Sequence, residues 1–263
     1  MAPDLPLPGR MEASAGPAAH PALLRTTVLG IPLDVDRSWL VTLAGAALFG
    51  GWLCAELVPG LSLPAAALLG AGLAGGLWLS LLAHELAHAV MAMRAGSRVL
   101  QIRFFAGGAL CRREDNLSAP RDQLRVVAAG PAASAALAVL AAGAALVATA
   151  AGAPAAAVLA LWLLATANGV IAVTNLLPVP PLDGGRLIHA LHWRAGHEPA
   201  VAAARTARTG REFARVVIWL GVLLAGMSGE VLVGVSVAAF GLYLLRLPAL
   251  PGQPAPRDGD SPG

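Results

Sequence analysis

The stretch LSLLAHELAHAVMAMR, from Leu79 to Arg94, decides how the rest of the chain is interpreted. It has the apolar pattern of a membrane helix, yet it carries His84, Glu85 and His88. Ionisable side chains are costly to bury in a membrane, so each one is a candidate functional residue. Residues four apart lie on one face of a helix, where two imidazoles can bind one metal ion. The stretch therefore predicts a metal site inside a membrane helix.

The HExxH spacing is specific as well as chemically suitable. In zinc hydrolases it supplies two His ligands, and the Glu between them is the general base that activates a water molecule. A chain with six His and seven Glu is expected to contain about 0.004 chance matches by composition alone. The alternative is a polar helix face that packs against other membrane helices. We favour the metal site, with Glu85 as the base.

The composition of the whole chain is typical of a membrane protein. Of 263 residues, 57% are hydrophobic and 13% are charged, with a mean hydropathy of +0.70, whereas soluble domains are about 25% charged. All 18 basic residues are Arg. They fall between the apolar segments, as membrane topology requires, which disfavours a nucleic-acid partner. Cys54 and Cys111 have no CxxC partner, and we expect neither a disulfide nor a metal role for them.

Six apolar segments are candidates to cross the membrane, which takes about 20 mostly apolar residues. The predicted spans are residues 38–58, 64–93, 123–151, 155–177, 213–229 and 231–245. The last two are short, and they could tilt or be partly re-entrant. We therefore predict an all-α membrane protein with about six transmembrane helices.

The distribution of Arg predicts the orientation of these helices. Segments 94–125 and 186–215 hold seven and six Arg, whereas the connections after the first, third and fifth spans hold none. The positive-inside rule places both Arg-rich segments and both termini in the cytosol. We predict a multi-pass protein of the cell membrane, with its membrane domain at 25–247. Flexible tails rich in Pro, Gly and Ala are predicted at 1–24 and 248–263.

The cytosolic segment after the second span has the pattern of a strand pair. VLQIRFF alternates Leu100, Ile102 and Phe104 with the polar residues Gln101 and Arg103, which is the two-residue period of a strand. AGG follows as a turn, and ALCRRE can form the return strand. We predict a short membrane-associated β-hairpin between spans two and three, with an irregular amphipathic loop as the alternative.

Two His ligands leave a zinc site incomplete, because catalytic sites usually take three protein ligands. The third should come from another span at similar depth, and span four ends near the cytosol in NLLPVPPLDGG. Asp183 is the only carboxylate between Asp122 and Glu198. The Pro-rich break before it can line a polar cavity. His189 and His192 could also be ligands, but their Arg-rich segment favours a position at the membrane surface.

These two motifs together resemble those of the site-2 protease family of intramembrane zinc metalloproteases. The family motifs are HExxH and NxxPxxPLDGG, and both are complete here. The stretches GIPLDVDRSWL, FFAGGALCRRE and VVAAGPAASAALA also resemble family sequences, and the resemblance extends over residues 30–245. Many relatives with six spans carry paired cystathionine-synthase-type domains after the last span, and others carry a PDZ insertion. The 263 residues have room for neither, so we do not expect regulation through such domains.

The resemblance implies one Zn²⁺ per chain, held by His84, His88 and Asp183, with Glu85 as the catalytic base. It also implies that Asn175 holds the substrate backbone or the developing oxyanion, since an Asn amide can donate a hydrogen bond to it. The alternative for Asn175 is an interhelical hydrogen bond.

The resemblance further implies substrates that are single-pass membrane proteins, such as anti-sigma factors. Membrane lipid is the other expected partner, and the oligomeric state is left open. The rival interpretation is a membrane zinc transporter or metal sensor with the same His and Asp ligands. Such a protein would need no general base beside them.

Overall fold

The computed structural model describes residues 22–106, 108–114, 117, 119–227 and 231–247. Within these residues the chain forms four strands and seven helices. The strands are β1 (Ala22–Val28), β2 (Ile31–Asp36), β3 (Val99–Phe105) and β4 (Gly108–Arg113). The helices are α1 (Trp39–Leu57), α2 (Leu63–Arg94), α3 (Pro120–Ala150), α4 (Ala155–Asn175), α5 (Asp183–Arg194), α6 (Pro199–Met227) and α7 (Val231–Leu245).

Helices α1 to α4 are long and apolar enough to cross a membrane, as judged by their length and composition. Their most apolar 18-residue windows have mean hydropathies between 1.6 and 2.1. They coincide with the first four predicted spans to within a few residues, because continuous apolar runs bounded by Pro and Gly leave little choice of limits. The chain is a multi-pass membrane protein.

The predicted fifth and sixth spans are not confirmed. α6 begins at Pro199, well before Phe213, and its first half carries Arg205, Arg208 and Arg211. That half is amphipathic rather than apolar, so apolar length alone misplaces its start. α7 has 15 residues, a rise of about 22 Å against a hydrocarbon core of about 30 Å. Among the described residues, neither α6 nor α7 reaches the length and composition of a span.

A four-stranded mixed sheet accompanies the helices, in the order β1-β2-β3-β4. β3 and β4 pair antiparallel in the segment where the sequence predicts a hairpin. β2 pairs parallel with β3, and β1 pairs antiparallel with β2. The predicted hairpin accounts for β3 and β4 only; β1 and β2 were not predicted, and β1 begins at Ala22, inside the predicted tail. The turn between β1 and β2 is Leu29–Gly30, which lacks the Asn-Gly or Asp-Gly signal of a two-residue hairpin turn.

One face of the sheet packs against the C-terminal half of α2. The buried cluster contains Ile31, Leu33, Val35, Trp39, Ala89, Ile102 and Phe104. The Phe104 ring lies 5.3 Å from that of Trp39 and 6.4 Å from that of Trp78. Leu100 is 41% exposed, so the buried face of β3 begins at Ile102. Ala89 follows His88 directly, and this packing fixes the sheet beside the helical turn that carries HELAH.

Candidate metal centre

Three side chains predicted as metal ligands converge in the structure. His84 and His88 come from one face of α2, and Asp183 is the first residue of α5. The Nε2 atoms of the two His lie 3.1 Å apart, and Asp183 Oδ2 lies 3.2 Å from His84 Nε2 and 3.0 Å from His88 Nε2. All three residues are buried. The convergence of residues 99 positions apart makes this the candidate metal centre.

The outer nitrogens of the two imidazoles have partners on α3. His88 Nδ1–H donates to the backbone carbonyl of Val126 at 2.7 Å, and His84 Nδ1 shares a hydrogen bond of 2.9 Å with Ser134 Oγ. Such bonds fix the tautomer and orientation of a metal-binding imidazole. Since a carbonyl only accepts, the neutral His88 ring has its lone pair on Nε2. That lone pair points at the centre of the cluster.

The chemistry of the three donor atoms fits a zinc ion. Neutral His88 Nε2 and ionised Asp183 Oδ2 are both acceptors, so their approach to 3.0 Å requires a proton or a cation between them. The candidate ligand atoms all lie within 4.8 Å of one another. Atoms bound at about 2.0–2.2 Å to a tetrahedral zinc lie about 3.3–3.6 Å apart. Small outward shifts of the side chains would therefore accommodate the ion.

Electrostatics at Asp183 agree with a cation-binding carboxylate. Burial by itself raises the pKa of Asp183, but the close approach of the His84 and His88 imidazoles lowers it more strongly. The net effect holds the pKa of this carboxyl below its ordinary value. Asp183 is therefore ionised at neutral pH and available as an anionic ligand.

Gly130 on α3 provides the space that the two imidazoles occupy. A Cβ atom placed there would come within 2.6 Å of His84 Nε2 and still closer to His88 Nε2. Any side chain at this position would therefore enter the volume in which the ligand atoms meet. Ser134 lies one turn further along the same face of α3. One helix thus both leaves room for the imidazoles and binds both of them, through Val126 and Ser134.

The glycines after Asp183 allow α5 to begin against its own preceding loop. A Cβ atom at Gly184 would overlap the carbonyl oxygens of Leu176 and Leu177. At Gly185 it would lie 2.5 Å from the backbone nitrogen of Pro180. Both contacts involve backbone, which cannot rotate away. The Gly-Gly pair of the LDGG motif therefore determines where the Asp183 carboxylate lies.

Glu85 lies on α2 between the two His and is half-buried. Among the described residues, no hydrogen bond or ion pair engages its carboxylate. The thiol of Cys111 on β4 lies near it: burial, followed by the charge of Glu85, raises the pKa of Cys111 to about 11. Cys54 and Cys111 are both free thiols. The sheet thus brings β4 beside the candidate base.

The other predicted candidates lie outside the cluster. The Asn175 amide donates to the carbonyl of Ile171 in its own helix at 2.9 Å, and among the described residues it has neither an interhelical bond nor a contact with the cluster. His189 Nδ1 lies 3.4 Å from Gln123 Nε2, and the His192 ring packs edge-on against His197. In the part of the chain that the structure describes, the group of candidate ligands contains neither His189 nor His192.

Sequence reasoning missed the polar residues that support the centre. Ser134 is the only polar side chain of α3 between Arg125 and Thr149. Asn168 on α4 is buried and donates to Ser80 Oγ at 3.0 Å, one turn before His84. A polar residue in an apolar helix is a functional candidate, and that signal would have included both.

The comparisons with known proteins agree with this geometry. The sequence profile of peptidase family M50 matches residues 72–153 and 142–220, which include all three candidate ligands. The chain belongs to peptidase family M50. The resemblance to site-2 proteases is thereby confirmed, and the candidate ligands lie within the part of the chain that defines the family.

Similar proteins carry names that describe zinc metalloproteases. A Mycobacterium tuberculosis protein named zinc metalloprotease Rip3 is 39% identical over 197 residues, covering 73% of this chain and 50% of that protein. A Synechocystis protein named zinc metalloprotease sll0528 is 32% identical over 197 residues, covering 75% and 51%. The chain therefore spans about half the length of these relatives.

A solved structure has the same fold. The site-2 protease from Methanocaldococcus jannaschii matches with a TM-score of 0.50 and 19% sequence identity. The match covers 86% of this chain and 97% of that one. The arrangement of helices and sheet is therefore the site-2 protease fold.

Proposed function

We propose that this protein is an intramembrane zinc metalloprotease that hydrolyses peptide bonds within or near transmembrane segments of membrane proteins. The observation that carries the proposal is the buried convergence of His84 and His88 of α2, the helix that also carries Glu85, with Asp183 of α5. A zinc site with three protein ligands leaves a fourth position open for water or substrate. Membership of peptidase family M50 supports hydrolysis as its reaction.

The proposed ligands are His84, His88 and Asp183, for one Zn²⁺ per chain. When bound, zinc supplies a Lewis acid that makes water nucleophilic near neutral pH and polarises a carbonyl group. The chain's own part is orientation: Ser134 and the Val126 carbonyl hold the imidazoles with Nε2 directed inward. Loss of outer hydrogen-bond partners of this kind commonly lowers metal affinity or activity by about 10- to 100-fold.

Glu85 is the proposed general base. It precedes His88 by less than one helical turn, and no partner among the described residues holds its carboxylate in place. It can therefore accept the proton of the attacking water and deliver it to the leaving amide nitrogen. Asn175 is the proposed oxyanion donor, because its NH2 group has two N–H donors and one of them is used by the Ile171 carbonyl.

A substrate segment must be extended to expose its scissile carbonyl, and the sheet offers a place for it. β3 is paired on both sides, with β2 and with β4, so it has no free edge. β4 is an edge strand of the sheet, and its Cys111 lies near the candidate base Glu85. We propose that the substrate adds to β4 as a further strand. The N–H of Ala109 points away from β3, so Ala109→Pro, which removes it, should reduce cleavage more than Ala109→Val does. Equal cleavage by both variants would rule out strand addition at β4.

The Arg-rich segments support a cytosolic position for the centre, with both termini of the chain in the cytosol and the protein in the cell membrane. The proposed cut then lies in the cytosolic half of the substrate span. The proposed substrates are single-pass membrane proteins of the anti-sigma-factor kind. Product termini mapped by mass spectrometry to the outer half of the substrate span would contradict this orientation.

A zinc transporter or metal sensor is the second candidate function, because buried His and Asp ligands suit it as well. Glu85 separates the two candidates. A transporter needs ligands but no base beside them, so Glu85→Gln should leave zinc transport intact. In a protease the same variant should keep its zinc and lose at least about 100-fold in turnover.

The deciding experiment compares wild type and Glu85→Gln in the same cells and after purification. Membrane fragments should accumulate only with the variant, and zinc content should be equal in the two purified proteins. Equal fragment patterns together with equal zinc content would refute the protease proposal. A fall in zinc content in the variant would instead assign Glu85 a ligand role.

A further inference from the structure

The loop that leads into Asp183 is held from behind by α6. Gly210 of α6 lies directly against it: a Cβ atom there would lie 2.9 Å from Pro180 Cδ, 3.3 Å from the Pro178 carbonyl oxygen and 3.3 Å from Val179 Cα. Contacts of 2.9 Å are too short for a carbon atom, and two of these three neighbours are backbone atoms. α6 therefore approaches the loop as closely as a residue without a side chain permits.

α7 completes the support one layer further out. Val179 of the loop is buried in a cluster with Ala214 of α6 and Leu244 of α7. The partly buried members of this cluster are Leu177, Leu182, Phe213 and Leu247. Leu182 is the residue directly before Asp183. The apolar contacts thus extend from α7 to the neighbour of the candidate ligand.

This support differs from that of the two His. His84 and His88 belong to one continuous helix and are bound on their outer side by α3. The segment from Leu176 to Leu182 lies outside the regular helices and has few internal hydrogen bonds, among them Val179 N–H to the Leu177 carbonyl at 2.7 Å. Its position therefore depends on what packs against it.

We infer that Gly210 and Leu244 are positioning residues for the third ligand. They hold the loop that places the Asp183 carboxylate opposite His84 and His88, and neither is placed in the ligand set. The inference rests on the proposed zinc site. It adds that the pair α6–α7, whose crossing of the membrane is not confirmed, contributes to metal affinity.

The first test adds a methyl group to α6 at this contact. Gly210→Ala should weaken zinc binding by about 10-fold, since displacement of supporting groups commonly costs about 10- to 100-fold. Gly226→Ala is the matched control on the same helix, because a Cβ atom there has no neighbour within 4 Å. Zinc affinity is measured by competition with a chromogenic chelator on the purified proteins, and the helical signal in circular dichroism reports folding.

The second test removes support instead of adding bulk, so it does not depend on how α6 tolerates a larger residue. Leu244→Ala should also weaken zinc binding, whereas Leu242→Ala should not, because Leu242 is 49% exposed and Leu244 is 3% exposed. A purely structural role would lower the melting temperature of the zinc-free protein and leave the zinc affinity of the folded protein unchanged.

The outcomes separate this inference from the proposed function. Weaker zinc binding in Gly210→Ala and Leu244→Ala, with both controls like wild type, supports the inference. Wild-type affinity in both variants overturns it, and so do equal losses in variants and controls. A wild type that binds zinc but cleaves no substrate refutes the proposed protease and leaves the affinity comparison valid. A wild type that binds no zinc refutes both.

Discussion

The two halves of the candidate metal centre are built in different ways. His84 and His88 lie one turn apart on α2, so the helix itself sets their separation. Asp183 follows a Pro-rich loop, and its position depends on Gly184, Gly185 and the packing of α6. Local helix geometry sets the positions of the two His relative to each other, whereas tertiary packing sets the position of Asp183. A local arrangement withstands distant changes, whereas a loop transmits them to the ligand it carries.

This difference explains where small residues are required. On the helix half, Gly130 leaves room for two rings that are already correctly spaced. On the loop half, Gly184 and Gly210 let backbone segments approach one another closely. Glycine permits such approaches because it has no Cβ atom. The four predictions below begin with the change that should break the helix half most completely.

Gly130→Ala should abolish zinc binding and reduce proteolysis to background. The new methyl group would occupy the space in which His84 and His88 direct their Nε2 atoms. Gly143→Ala is the control on the same helix, since a Cβ atom there has no neighbour within 4 Å. Zinc content by elemental analysis is the measurement. Full zinc content in the Gly130 variant would mean that α3 lies further from the His84 and His88 imidazoles than the structure places it.

Gly184→Ala should break the loop half and leave the helix half intact. Its methyl group would meet the carbonyls of Leu176 and Leu177, so Asp183 must move, and zinc affinity should fall by about 100-fold. Residual binding should remain, because two imidazoles still face each other. Gly169→Ala, with open space around its Cβ atom, is the control in chelator competition. Unchanged affinity would show that the loop tolerates the added volume.

Ser134→Ala should weaken the orientation of His84 in the helix half without adding volume. It removes the hydrogen bond of 2.9 Å to His84 Nδ1, and zinc affinity should fall by about 10-fold. Ser236→Ala is the control, because that hydroxyl donates only within its own helix, to the Leu232 carbonyl. If both variants bound zinc equally well, the Ser134 bond would not orient the ring.

The reactivity of the Cys111 thiol tests whether β4 lies beside Glu85, and its expected effect on function is the smallest of the four. Its pKa is raised from 9.0 to about 11, first by burial and then by the charge of Glu85. Because only the thiolate reacts, alkylation of Cys111 at pH 8 should be about 100-fold slower than that of a solvent-exposed thiol with a pKa of 9.0. Glu85→Gln removes the charge, so Cys111 should react faster. Mass spectrometry after iodoacetamide treatment measures the alkylation rate. Equal rates in wild type and Glu85→Gln would show that β4 does not lie beside Glu85.

Much of the fold could be predicted because its signals are local. The first four helices are continuous apolar runs, and the alternation in VLQIRFF predicts the pairing of β3 with β4. The β1–β2 hairpin could not be predicted in this way, since β1 is largely exposed and its turn is Leu29–Gly30. The first half of α6 was equally hidden, because its Arg residues interrupt the apolar pattern.

The sequence by itself determined the chemistry of the centre: two imidazoles at helical spacing, a carboxylate between them, and an Asp after a Pro-rich break. Helix periodicity is a local property, so these relations can be predicted without knowing the fold. Only the tertiary structure decided the supporting groups. Ser134, Gly130 and Gly210 act through contacts between segments distant in sequence, and a sequence pattern carries no information about which surfaces meet until those segments pack.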